Sequence, residues 1–222
     1  MTAAFYDLSH TIEDGMVTYP GLPAPAICDF LSREASRSHY EAGTEFQIGR
    51  IDMVANTGTY IDSPFHRYAD GRDLADLPLA GLADLEVTIF RAAPERGRAI
   101  DASAFESLDV AGKAVLVHTG WDTHWRTERY STGHPYLTGD AAVLLRDRGA
   151  RLVGIDSLNI DCTDTGARPV HSTLLRHDIP IVEHMSGLGR LPDARDLRFF
   201  PIPPKVRAFG TFPVRAFCLR RP

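Results

Sequence analysis

The residues of this chain that could do chemistry fall into three segments. The first runs Ala55-Asn56-Thr57-Gly58-Thr59-Tyr60-Ile61-Asp62-Ser63-Pro64-Phe65-His66. Gly58 and the β-branched Thr57, Thr59 and Ile61 disfavour helix, and Pro64 ends any ladder pairing, so the piece up to Asp62 is predicted to be an extended strand. Side chains two apart share a strand face, which projects Asn56, Gly58, Tyr60 and Asp62 together, and a turn at Pro64 can fold His66 back toward them. The alternative is an edge strand with a solvated polar face.

The second segment, Gly154-Ile155-Asp156-Ser157-Leu158-Asn159-Ile160-Asp161, is an apolar strand running into three acid or amide side chains. Strand ends carry functional groups in α/β proteins, although Asp and Asn also stop strands and start turns. The third extends from Pro169-Val170-His171 to Glu183-His184. A helix from Pro169 followed by a strand at Ile179–Val182 puts His171 in the first helical turn and Glu183 at the strand end. With Asp62 these would form a three-ligand set whose two negative charges balance a divalent cation. A lone histidine near a helix start also serves as an ordinary hydrogen-bonding residue. Three further stretches are candidates for scaffold or pocket wall: Tyr6–Ile12, Tyr19-Pro20-Gly21, and His118-Thr119-Gly120-Trp121-Asp122, where Trp121 follows a glycine turn.

The elements that must position these groups are mostly strands. Phe46–Met53, Glu86–Phe90, Ala114–His118, Leu152–Ile155, Ile179–Val182 and Val214–Leu219 are β-rich, and most are bounded by Gly, Pro or Asp. One helix is predicted from an N-cap at Thr138 to a stop at Gly149, with Ala141, Leu144 and Leu145 on its buried stripe; a second starts near Pro169 and ends by His177. The result is an α/β domain read as a single unit over residues 1–222, since no repeat or Gly/Ser linker marks a boundary. From Arg198 onward the chain has six basic residues and no acidic one. A half-exposed strand with its turns is favoured there over a phosphate-binding tail, because Phe, Pro and Val interleave the charges.

Composition narrows the classes further. The 222 residues carry 24 Lys+Arg against 29 Asp+Glu, which argues against a general nucleic-acid binder. Three cysteines without CxxC spacing suggest neither a disulfide framework nor a thiolate zinc site, and nine histidines point any metal toward imidazole and carboxylate ligands. No apolar run approaches the roughly 18 residues needed to span a bilayer, and the first residues lack a basic stretch followed by an apolar one. The expectation is a cytoplasmic protein without membrane association.

Taken together the segments resemble the cyclase-like metal-dependent hydrolases, a family that includes bacterial kynurenine formamidase and isatin hydrolase. Asp7-Leu8-Ser9-His10, Tyr19-Pro20-Gly21, Gly58-Thr59…Asp62…Pro64…His66, Thr119-Gly120-Trp121, Gly154-Ile155-Asp156, Pro169…His171…Leu174-Leu175 and Ile179…Ile181…Glu183 follow that family's order and spacing nearly end to end. The resemblance implies a swivelling β/β/α domain with a small central β-barrel and a homo-oligomer, a dimer or tetramer, with sites near subunit contacts. It further implies Asp62, His171 and Glu183 as metal ligands, His66 as general acid/base and Tyr19 lining the substrate pocket. Asn56 and Tyr60 stand where the family has two further metal-binding histidines.

That departure reduces the expected site to one divalent ion, Zn²⁺, Mn²⁺ or Mg²⁺, with Tyr60 donating a hydrogen bond near the substrate and Asn56 and Trp121 beside it. The implied reaction is hydrolysis of a small amide or a cyclic amide or ester, with N-formylkynurenine the leading substrate. The competing readings are a non-catalytic small-molecule-binding relative and a metal-free hydrolase using Tyr60 and His66.

Overall fold

A computed structural model describes residues 3–93 and 97–221; Met1 and Thr2 of the N-terminal stretch read above lie outside them. Thirteen strands are described: β1 Ala4–Asp7, β2 Ala26–Leu31, β3 Ile48–Asp52, β4 Tyr60–Asp62, β5 Leu85–Arg91, β6 Ala99–Ile100, β7 Ala114–His118, β8 Tyr136–Leu137, β9 Leu152–Ile155, β10 Ile181–Glu183, β11 Leu197–Phe200, β12 Thr211–Pro213 and β13 Phe217–Arg220. Helix α1 is a single turn, Arg33–Ser36, and α2 and α3 span Gly139–Asp147 and Pro169–Arg176.

Nine strands form one curled half-barrel in the order β1-β13-β11-β5-β7-β9-β10-β4-β12. Its centre, β5-β7-β9-β10, is parallel, and β7 and β9 are buried along almost their whole length, as expected of parallel strands covered on both faces. One core, including Val115, Val153, Ile155 and Ile181, lies under α2 and α3 with Leu145, Leu174 and Leu175. The other fills the inside of the curl with Leu8, Ile61, Leu116, Val182, Met185 and Phe199. The packing there is close enough that a Cβ on Gly154 would lie 2.6 Å from the Met185 sulfur.

Most predicted elements match, and three differ for identifiable reasons. Helix α2 begins after Thr138, whose extended backbone caps it without a side-chain hydrogen bond, and Gly149 follows its end at φ +76°. The predicted strand through Asn56–Asp62 is extended only over β4, because Gly58 takes φ +65° with Ile12 packed against it. The predicted strand Val214–Leu219 begins only at Phe217, as β13, because Val214–Ala216 is the connection from β12, Thr211–Pro213. β12 pairs with β4, and the chain then crosses so that β13 can pair with β1 and β11. The third difference is the Phe46–Met53 stretch, which shortens to β3 and pairs only with β2.

The β2–β3 ribbon stands apart from the main sheet. Nearly every residue in it is exposed, including Phe30, which is 74% accessible, and Ile51, which is 55% accessible. In the C-terminal basic stretch, Arg198, Arg207, Arg215, Arg220 and Arg221 each pair with a carboxylate. The favoured half-exposed-strand reading of that stretch therefore fits, since its cations face acids of the same domain.

Register places the site. In the antiparallel β4–β10 pair Tyr60 lies opposite Glu183, and in β4–β12 Asp62 lies opposite Thr211. Helix α3 packs against β10 and delivers its first turn to the same end of the sheet.

Candidate active site

Asp62, His66 and His171 come together with one ligand atom from each within 4.8 Å of the others. Pro64 opens the 3-10 turn Pro64–His66 that returns His66 toward β4, as the Pro64 spacing predicts. The Thr211 hydroxyl donates its one hydrogen to Asp62 Oδ1, so the contact of 2.7 Å between Thr211 Oγ1 and His66 Nδ1 requires the imidazole to donate. That assignment leaves His66 Nε2 with a lone pair.

His171 is fixed from behind in the same way. Asp161 accepts from the backbone N–H groups of Val170 and His171 at 2.8 and 3.0 Å, and from His171 Nδ1 at 2.6 Å. One carboxylate thus satisfies two free donors at the start of α3 and sets the imidazole tautomer. His171 Nε2 then lies between Asp62 Oδ2 and Glu183 Oε1, 3.6 Å from each.

Glu183 is fully buried. Its Oε1 accepts from the backbone N–H of Ile160 at 2.6 Å and its Oε2 from the Tyr60 hydroxyl at 2.8 Å. Tyr60 therefore gives its only hydrogen to Glu183. Behind it His184 Nε2 lies 3.3 Å from the Tyr60 oxygen, and Tyr130 approaches His184 Nδ1 at 2.9 Å.

The electrostatics follow from this packing of buried acids around one imidazole. Burial alone would lower His171, but Glu183, Asp161 and Asp62 outweigh it and push the imidazole up to about 10. Burial raises Glu183 to about 7 against the pull of His171. Burial also opposes ionisation of Asp62, yet His66, His171 and Thr211 hold it below its ordinary value. Tyr60 is raised well above 10, first by burial and then by Glu183. His184 is lowered to about 3 by burial.

The residues fit one divalent cation. Asp62 Oδ2 is buried without a hydrogen-bond partner, His171 Nε2 is fixed beside it and becomes a ligand atom when a cation displaces its proton, and three buried carboxylates surround one imidazole, an excess of negative charge that a cation would balance. A histidine whose second nitrogen is held by a carboxylate is also the usual form of a metal-binding histidine. Tyr60 does not fit as a ligand, because burial keeps its phenol neutral and its one hydrogen is committed to Glu183 Oε2.

A cavity of about 400 Å³ opens above these groups, lined by Tyr19, Leu22, Asn56, Tyr60, His66, Asn159, His171 and Glu183 among others. Of the residues predicted from the sequence, Tyr19, Asn56, Tyr60, Asp62, His66, His171 and Glu183 meet here. Trp121 does not line it. Its indole N–H donates to the Tyr130 carbonyl at 3.0 Å, which makes it a support for the tyrosine behind the site. The closely grouped trio also differs from the predicted ligand set in containing His66, while Glu183 stands slightly back. Thr211, Tyr130 and His184 escaped sequence reasoning; only the adjacency of His184 to Glu183 offered a signal. Asp161 was visible only as one of several polar residues after β9, and Asp156 there accepts from Thr119 and Gly120, shaping the loop that carries Trp121.

The sequence profile of the cyclase family matches residues 6–162. The chain belongs to that family. Among its cyclase-family relatives, a kynurenine formamidase of Bacillus cereus is 30% identical over 224 residues, covering 97% of each chain; one from Bacillus cytotoxicus is 28% identical over 219 residues, covering 95% and 94%. A solved structure described as a potential metal-dependent hydrolase with cyclase activity superposes with a TM-score of 0.80 at 25% identity over the full length of both chains. An isatin hydrolase bound to the product analogue thioisatinate shares the fold, with a TM-score of 0.80 at 19% identity, covering 98% of this chain and 92% of that one. The cyclase-family fold expected from the sequence is thus the one observed, and a hydrolase of this family is what the comparisons support.

Proposed function

We propose that the chain is a metal-dependent hydrolase of a small amide, of the arylformamide class, with N-formylkynurenine as the leading substrate. The observation that carries this reading is the meeting of Asp62, His66 and His171 at the floor of a cavity, with Asp62 Oδ2 unpartnered and His171 locked by Asp161. Similarity to kynurenine formamidases supports the substrate class.

Asp62 and His171 would hold the ion, with Glu183 beside them. When bound, a divalent cation supplies Lewis acidity and a more acidic water. His66 moves the proton. With Nδ1 committed to Thr211, its Nε2 accepts a proton from the attacking water and returns it to the departing nitrogen, a role worth about 10²–10⁴ in rate. Tyr60 serves Glu183 and does not act as the acid, since its hydrogen is already given and its burial resists ionisation. This weighs against metal-free hydrolysis by Tyr60 and His66. Tyr19, Leu22 and Asn56 form the side of the cavity where an aryl ring would rest, with Asn56 as a polar contact to the substrate.

The same reading places the protein in tryptophan breakdown in the cytoplasm; among the described residues no helix is long and apolar enough to cross a membrane. It also includes a homo-oligomer. A two-stranded ribbon exposed on both faces is marginal alone, and β2–β3 carries Ile27, Phe30, Ile48 and Ile51 into solvent, so a second copy is its natural cover. The test is turnover of N-formylkynurenine, formanilide and isatin by protein loaded with Zn²⁺ or Mn²⁺. Hydrolysis of the formamides, and its loss on chelation, is expected; no hydrolysis of any of the three by loaded protein would leave a binding protein.

A further inference from the structure

Behind the site lies a buried line of polar groups that the hydrolysis does not use. Tyr130, His184 and Tyr60 follow one another at 2.9 and 3.3 Å and end on Glu183 at 2.8 Å. All three are buried, His184 completely. The His184 ring is also walled by Trp125, with ring centroids 5.7 Å apart at 68°. Its backbone is held by Thr59, whose hydroxyl donates to the His184 carbonyl at 2.6 Å, and by the Met185 N–H bond to Ile155.

Donor counting fixes the direction of the line. A neutral imidazole has one N–H and one lone pair, and each phenol has one hydrogen. Tyr60 spends its hydrogen on Glu183, a carboxylate that can only accept, so toward His184 the Tyr60 oxygen must accept. His184 then carries its hydrogen on Nε2, and bare Nδ1 accepts from Tyr130. Every group in the line is satisfied by this arrangement and by no other that keeps Glu183 ionised. His184 also sits at φ +52°, a conformation that Gly or Asn adopts more readily.

We propose that His184 is a positioning residue. Held by Tyr130, it donates to Tyr60, compels Tyr60 to donate to Glu183, and so keeps Glu183 turned with a free face toward His171. Its effect on cation binding rests on the hydrolase reading above, whereas the proton placement does not.

The experiment reads both on the full chain. In metal-free protein labelled with ¹⁵N-histidine, long-range proton–nitrogen spectra, assigned by the signal lost in His184→Gln, should show His184 protonated at Nε2 and bare at Nδ1. Tyr60→Phe, which removes the oxygen that accepts from Nε2, should shift that tautomer toward Nδ1–H, where the Tyr130 oxygen can accept. Protonation of Nδ1 in the unsubstituted protein, or of both nitrogens, or a spectrum unmoved by Tyr60→Phe, would overturn the proposal. Zn²⁺ affinity by calorimetry then compares two replacements. Asn suits φ +52° but is too short to reach Tyr60, and should weaken binding by about tenfold with the thermal midpoint retained. Gln places an N–H near the Nε2 position and should restore most of the loss. Equal affinity in all three proteins refutes the positioning role. Absence of Zn²⁺ binding in the unsubstituted protein contradicts the hydrolase reading, and the tautomer still decides the relay.

Discussion

Replacing Asp161 by Asn exchanges one carboxylate oxygen for an NH₂ and should strip His171 of its ligand face. In the native site Oδ1 takes the Val170 N–H, and Oδ2 takes both the N–H and Nδ1 of His171. An amide can satisfy only one side. With its oxygen toward Val170, its NH₂ faces His171 Nδ1, which must then accept, and the imidazole hydrogen moves to Nε2, where Asp62 and Glu183 lie 3.6 Å away. With the amide reversed, NH₂ meets the Val170 N–H and a buried donor goes unpaired. Either way one buried backbone donor is lost, at a cost of about 1–3 kcal/mol. For a chain of this size that lowers the thermal midpoint by about 2–12 °C. The decisive quantity is cation affinity, which should fall about 10–100-fold, equivalent to roughly 1.4–2.7 kcal/mol. Calorimetric titration with Zn²⁺, run beside thermal unfolding of both proteins, measures the two effects separately. An Asp161→Asn protein that is destabilised yet binds Zn²⁺ as tightly as its parent would refute the assignment of His171 as an oriented ligand.

Three further outcomes are expected. His66→Ala should lower turnover of an arylformamide by about 10²–10⁴ while elemental analysis still finds the ion on Asp62 and His171; wild-type turnover removes His66 from the reaction. Burial lowers His184 to about 3 and His10 to about 4, so both imidazoles stay neutral in the fold where the unfolded chain would protonate them. Their contribution to stability is complete above pH 6.5 and is lost as pH falls below it, by up to about 1.4 kcal/mol per pH unit for each. Urea unfolding between pH 7 and 5 should therefore be less pH-sensitive in His184→Gln by about that slope, and an identical slope would count against a buried neutral His184. Finally, light scattering should find a homo-oligomer, and Phe30→Asp with Ile51→Asp should dissociate it; an unchanged mass would place the interface elsewhere.

Much of this arrangement was legible in the sequence because it rests on local rules. Pro169 at a helix start, Gly149 at a helix stop and the apolar runs of β7 and β9 announce their elements directly, and Asp62, His66, His171 and Glu183 announce themselves by type and spacing. What was hidden is long-range. The strand that puts Thr211 opposite Asp62 lies just before the stretch that reads as β-rich, and nothing local in Gly210-Thr211-Phe212 marks a hydroxyl for the site. Tyr130 reaches His184 across 54 residues from a loop without periodicity. Trp121 shows the converse: an aromatic after a glycine turn looks like pocket wall, but tertiary packing turned it toward the backbone of Tyr130. Tyr60 is the instructive middle case. Its departure from histidine was plain in the sequence, while its commitment to Glu183 became visible only through the β4–β10 register.

The central claim is that Asp62 and His171, backed by Asp161 and beside Glu183, hold one catalytic divalent ion. The most direct test is metal content against turnover: the purified chain is stripped by chelation, assayed on N-formylkynurenine, and titrated back with Zn²⁺ or Mn²⁺. Activity should vanish on stripping and return in proportion to bound metal, saturating at one ion per chain. Full turnover after exhaustive chelation, or saturation with no ion retained, would contradict it.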